Sequence, residues 1–366
     1  MTRSSSYILL TLAVLLSACS TVEERPPYDG PLVWPQTPDQ PRFAFQQMLR
    51  SAQDIGEASE DAKLRESLTG EEAIPSAQLL DKPSAIVSKQ GKVYIANSGT
   101  NSVVVFDLVR RRIFRFGVRE PNKIGKPAGL AVDKDMNVYV ADSKLRKIMV
   151  FDNLGLFLGS IGNPEDLERP TGVCVSPNVD KVYVIDRSFN ESTKHRLLIY
   201  SVGSTQPNVI GSRGIEPGQF NVPTQCAVAP DGTVYVLDSG NFRVQAFDRD
   251  GKFLLSWGKA GKEFGHFARP RGIAVDGDGL VYVTDASFNN FQIFNSKGEL
   301  LMSVGQGGLE SHPGVYGMLN GIAVDEKGYV YVGDQVYNKV EVFKHLSDAE
   351  GEQMLKEYQI KEDAKK

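Results

Sequence analysis

The chain has 366 residues, 41% of them hydrophobic and 23% charged, with a formal net charge of −4 and a pI near 5.7. That mild acidity argues against a nucleic-acid binder, whose footprint would be strongly basic. The length exceeds an ordinary single core but suits one domain of stacked repeats, which have no such size limit.

In chain order, the first feature is an address. Arg3 precedes the apolar run YILLTLAVLL, which at about ten residues is too short to span a bilayer and predicts an export signal over residues 1–18. The run ends in LSAC, and this tetrapeptide resembles the lipobox of bacterial lipoproteins. The resemblance implies cleavage before Cys19, diacylglycerol on its thiol and a lipid-anchored protein of the cell envelope. With Ser20 where an Asp would favour the inner membrane, it implies the outer membrane. Residues 19–40, with Pro26, Pro27, Pro31, Pro35 and Pro38, read as an extended tether. RFAFQQML, from Arg42 to Leu49, alternates like a strand. The acidic, helix-tolerant stretch from Ser51 to Ser76 leads from it towards the first repeat.

Six repeats follow. They open PSAIV at Pro83, PAGLAVD at Pro127, PTGVCVS at Pro170, PTQCAVA at Pro223, PRGIAVD at Pro270 and LNGIAVD at Leu319. Each continues into a second apolar run ending in a carboxamide or carboxylate: Asn97, Asp142, Asp186, Asp238, Asp285 and Asp334. This is the period of a propeller blade. Alternating runs joined by Asp-Gly turns mark half-buried antiparallel strands. The sixth copy lacks an outer strand, and after Phe343 a capping box at Ser347 and Glu350 predicts a helical tail over 347–366. The expected fold is all-β: a six-bladed propeller over 41–346. Its blade cores are expected at about 83–117, 127–162, 170–211, 223–258, 270–305 and 319–343, the last closed by the N-terminal strand 42–49.

The pattern P-x-G-I-A-V-D, turn, V-Y-V-x-D, then a strand ending V-x-F-D, resembles the NHL repeat. It is plainest in PRGIAVDGDGLVYVTD and PTQCAVAPDGTVYVLDSGNFRVQAFDRDG, with G-x-F-x-x-P upstream as GQFNVP and GHFARP. The resemblance runs from about Pro83 to Phe343 and implies a bacterial NHL-type propeller lipoprotein. Such propellers include binding scaffolds, and related six-bladed rings include lyases and lactonases that act at the mouth of the central channel.

The repeated carboxylates would suit a cation if they converged on the axis. Recurrence in every blade, and Asn at position 97, favour a structural role in turns instead. The four histidines share no repeat position and are expected at the surface. Cys174 and Cys226 lie on neighbouring inner strands at repeat positions of opposite parity, so they are expected as unbonded, buried apolar groups. Arg110 to Arg112 read as a solvated turn.

Candidate binding residues are those at which the copies differ. After the opening residue these include Thr171, Thr224, Arg271 and Asn320, and Gln225 stands where glycine is usual. Arg271 either clamps a carboxylate or phosphate or pairs with a neighbouring loop. Phe189, Phe242, Phe288 and Tyr337, on the loops after the second strands, form either a contact patch or covers for their blades. No catalytic residue, cofactor or metal ligand is assigned, and calcium is the metal to consider. The resulting expectation is a monomeric, membrane-anchored binding or scaffold protein of the outer membrane. Its lipid would sit on Cys19, with a protein, peptide or envelope polymer as partner and no nucleic acid. The alternative is a divalent-metal-dependent lyase or lactonase-like hydrolase working at the channel mouth.

Overall fold

A computed structural model describes residues 32–56, 68, 78–189, 191–204 and 206–364, with side chains as far as 360. The expected signal, Cys19 and most of the 51–76 link lie outside the described residues. Blades of four antiparallel strands follow one another around a central channel. The first is Pro83–Lys89, Lys92–Asn97, Ser102–Asp107 and Arg112–Phe116, counted from the channel outwards. Its second and third strands are buried throughout, whereas its outer strand is only partly covered.

Stacking buries what a single blade cannot. Six apolar clusters each fill the seam between two neighbouring blades. The sixth blade is built from both ends of the domain. Phe43–Leu49 pairs antiparallel with Lys339–His345, from Phe43 opposite His345 to Leu49 opposite Val340. That strand also serves two seams, because Phe43 packs between blades five and six while Leu49 packs between blades six and one. Loss of this segment would open both seams beside the break.

Two expectations need correction here. The extended tether stops short of Gln40, because Val33–Trp34 adds a fifth strand to the closing blade and Trp34 meets Phe343 edge to face at 5.3 Å. Cys174 and Cys226 are disulfide-bonded, with Cα atoms 5.9 Å apart. Opposite parity is what brings them together. Neighbouring blades meet face to face, so blade three contributes the face of Cys174 and Tyr183 while blade four contributes the opposite face, with Cys226, Val234 and Val236. The bond closes a loop across a 52-residue separation, which in the chain-entropy model stabilises the fold by about 4 kcal/mol.

The turns at the two ends of the inner strands are fastened differently. At one end Asp133, Asp276 and Asp325 accept from turn amides and from the hydroxyls of Tyr139, Tyr282 and Tyr331. This gives the tyrosine of V-Y-V a polar partner in blades two, five and six, whereas in blade three the Tyr183 hydroxyl donates to the Arg249 carbonyl instead. At the outer seams the upstream G-x-F loops are held by third-strand side chains. Gly218 N–H donates to Gln245 at 3.0 Å, and Gly265 N–H to Gln292 at 2.8 Å. Each glutamine amide in turn donates to a carbonyl of the same loop.

In the last blade Glu341 takes the accepting half of that task, from Gly314 N–H at 2.9 Å. Lys339 takes the donating half, to the His312 and Val315 carbonyls. The two form a fully buried ion pair at 2.5 Å. Lys339→Met should therefore cost about 3–5 kcal/mol by stranding a buried carboxylate. Adding Glu341→Gln should restore most of that loss, as read by denaturant titration; equal stability of the single and double variants would contradict the pairing.

Candidate functional site at the channel mouth

The strand-end residues expected to be structural are so. Asp142 accepts from Gly125 and Lys126 N–H ahead of the inner strand, and from Lys144 and Leu145 N–H in the turn that follows. Asp285 does the same with Ala268, Arg269, Ser287 and Phe288, and Asp334 with Gly317, Met318, Val336 and Tyr337. Asn97 accepts from Asp81 N–H and donates to the Leu79 carbonyl. Each group is buried in its own blade, so the carboxylates do not meet on the axis. Among the described residues no three His, Cys, Asp or Glu side chains gather within reach of one metal ion.

The inner strands touch backbone to backbone around the channel. A Cβ on Gly129 would lie 2.6 Å from the Thr171 carbonyl oxygen, and one on Gly172 would lie 2.9 Å from Gln225 Cα. In blade four Gln225 replaces that glycine and reaches across the channel, donating to the Ala128 and Thr171 carbonyls at 3.0 and 3.1 Å. It thus staples three blades together at the channel. Thr171 and Thr224 face the neighbouring inner strand, their hydroxyls 3.5 and 3.4 Å from the Pro223 and Arg271 carbonyls. Thr224 Oγ1 also lies 2.7 Å from Ser239 Oγ. Arg271 and Asn320 are half-buried on the same rim.

The four loop aromatics divide. Phe189 is 57% exposed, whereas Phe242 packs into the seam of blades four and five and the Tyr337 hydroxyl donates to the Gly308 carbonyl at 2.7 Å. Phe288 is half-buried.

His195, expected at the surface, is only 1% exposed. It ties the long loop of blade three to blade four. Val222 N–H donates to its Nδ1 at 2.8 Å, and Nε2–H points at the Phe189 carbonyl at 3.4 Å. A ring accepting at Nδ1 is neutral, and burial pushes its pKa below the ordinary value, helped by Arg213 and Arg187. A depressed folded-state pKa gives stability that is present above the unfolded value and lost as pH falls below it. Between about pH 7.5 and about pH 5.5 the wild type should lose stability relative to His195→Gln, measured by parallel thermal melts. A constant difference across that range would contradict the assignment.

The cations around Arg271 lie outside the positions at which the sequence marks a site. Arg169 and Arg269 precede the opening prolines of blades three and five, and Arg187 follows Asp186. The Arg187 guanidinium is pushed below its ordinary pKa first by burial and then by the nearby cations Arg169 and Arg271. Arg271 is lowered by burial and by Arg269, against an opposing pull from Asp285. Arginines of blades three and five therefore feel each other across blade four.

A family model for the NHL repeat matches residues 220–247 and 267–294, which are the inner three strands of blades four and five with their entry loops. The chain carries NHL repeats. Human NHL repeat-containing protein 3 is 28% identical over 191 residues, 47% of this chain and 53% of the relative. The chain thus spans about half the length of the curated relatives it matches first. Among solved structures, a structural genomics protein from Bacteroides thetaiotaomicron aligns with a TM-score of 0.58 at 18% identity, covering 74% of this chain and 70% of that one. A streptogramin B lyase aligns at 0.53 with 15% identity, covering 72% and 93%. At such identities the likeness is one of fold, and the propeller's activity has to be argued from its mouth.

Proposed function

We propose that this NHL propeller is a non-catalytic binding protein of the cell envelope that presents its channel mouth to a partner. One observation carries the reading. Once the fold is built, the rim retains cations, half-buried polar groups and the exposed Phe189 ring, while the repeated carboxylates are taken up by amides of their own blades. An exposed aromatic beside arginines has the composition of an interface anchor. Catalysis would call for a positioned acid, base or nucleophile with reacting geometry.

The envelope location rests on the apolar leader, on the lipobox-like LSAC and on a disulfide of the kind that persists in oxidising compartments. Acyl chains on Cys19 would hold the ring to a membrane without spanning it. The competing metal-dependent lyase reading draws on the fold shared with streptogramin B lyase.

The test uses the chain from residue 20 onwards, immobilised through its C-terminus and challenged with solubilised envelope fractions. Saturable retention should fall about tenfold or more in Phe189→Ser/Arg271→Ala, at unchanged melting temperature and without sensitivity to EDTA. Retention indifferent to both substitutions would overturn the reading. A calcium-dependent melting shift with turnover of a substrate would favour the lyase.

A further inference from the structure

Three positions per blade frame the mouth: the residue before the opening proline or leucine, the residue after it, and the residue following the strand-end Asp or Asn. Cations occupy them at Lys82, Lys126, Arg169, Arg187, Arg269 and Arg271, and none of these positions is acidic, in a chain whose net charge is −4. The four arginines form two pairs, on blades three and five. Between them blade four offers only Val222, Thr224 and Ser239 at the same positions. A neutral blade four thus lies between two arginine-bearing blades, with Thr224 and Ser239 bonded to each other and Gln225 fastened to the Ala128 and Thr171 carbonyls.

These arginines differ from the structural ones. Arg196 and Arg243, on third strands, are paired with Asp186 and Asp238 at 3.0 and 2.9 Å. Among the described residues, no carboxylate lies within ion-pair distance of Arg169, Arg187, Arg269 or Arg271, and the buried Nε of Arg187 has no hydrogen-bond partner. Glu168, next to Arg169, is already engaged by Ser188 and Lys194, which hold its carboxyl down at about 2. The Asp285 oxygens are filled by backbone amides. Arg169, Arg187 and Arg271 are half-buried and Arg269 is exposed; half-buried like charges on one rim cost stability unless an anion joins them.

We infer that the rim above blade four is an oxyanion site that takes a phosphoryl group, held between Arg169 and Arg187 on one side and Arg269 and Arg271 on the other. A phosphoryl dianion offers more charge and more acceptor lone pairs to four forked donors than a single carboxylate does. The inference rests on the mouth being a binding face, and it names the chemistry recognised there.

The whole soluble chain is titrated calorimetrically with pyrophosphate and with succinate in a phosphate-free buffer, and melted in parallel. Pyrophosphate should bind tighter than succinate and raise the melting temperature. Arg187→Gln/Arg271→Gln should weaken binding about tenfold or more, while Arg110→Gln/Arg112→Gln should not. Without ligand the mouth variant should melt no lower than wild type, since it relieves repulsion; a lower melting point would mark the arginines as structural partners and overturn the assignment. Absence of pyrophosphate binding, binding insensitive to the mouth variant, or succinate binding as tightly would also overturn it. Co-sedimentation with phosphatidylcholine vesicles containing phosphatidate would place the phosphoryl group on a lipid, and binding of pyrophosphate without co-sedimentation would place it on a soluble or polymeric ligand. Partner retention that survives while pyrophosphate fails to bind would sink this inference alone. Pyrophosphate binding without any partner retention would sink the broader reading alone.

Discussion

The backbone contact between neighbouring inner strands governs this molecule. At Gly129, Gly172 and Gly272 the next strand lies where a side chain would begin, with the Asn320 carbonyl oxygen only 2.4 Å from a Cβ on Gly272. Such close approach leaves a narrow axis and forces the chain into a closed ring. Closure then demands a last outer strand, and Phe43–Leu49 supplies it from the other end of the domain. A closed ring has few free edges and one rigid rim, which holds loop residues from every blade at fixed separations.

Close stacking also explains why parity arguments run differently in propellers than in single sheets. Within one sheet, residues of opposite parity face apart. Across a seam, opposite faces of two successive sheets meet, which is how Cys174 finds Cys226. The blade count, the four-stranded pattern, the role of the strand-end carboxylates and the closing strand were all legible, because each is written as a repeat or as a repeat's missing piece. The disulfide is not legible from strand periodicity within one sheet, because its pairing is set between sheets.

The site was less legible for a similar reason. Arg271 stands out within one column of the repeat, while Arg169, Arg187 and Arg269 sit in two other columns that converge on the same rim only in three dimensions. Aligning all three columns would have revealed the basic rim and its lack of acids. The aromatic loops show the opposite limit. Phe242 and Phe189 occupy comparable loops, yet one packs into a seam and the other stands in solvent, a difference set by the lengthened blade-three loop and its His195 tether. No sequence pattern distinguishes those two phenyl rings.

What remains after the architecture is accounted for is an unbalanced rim, with arginines on blades three and five flanking a neutral blade four, and Lys82 and Lys126 on blades one and two. The most direct measurement is anomalous diffraction from crystals of the chain from residue 20 onwards, grown without phosphate or sulfate and soaked in tungstate. A peak above Thr224, between the guanidinium groups of Arg187 and Arg271, is the predicted result. A rim empty of tungstate, with the anion absent or bound only elsewhere on the surface, would contradict it.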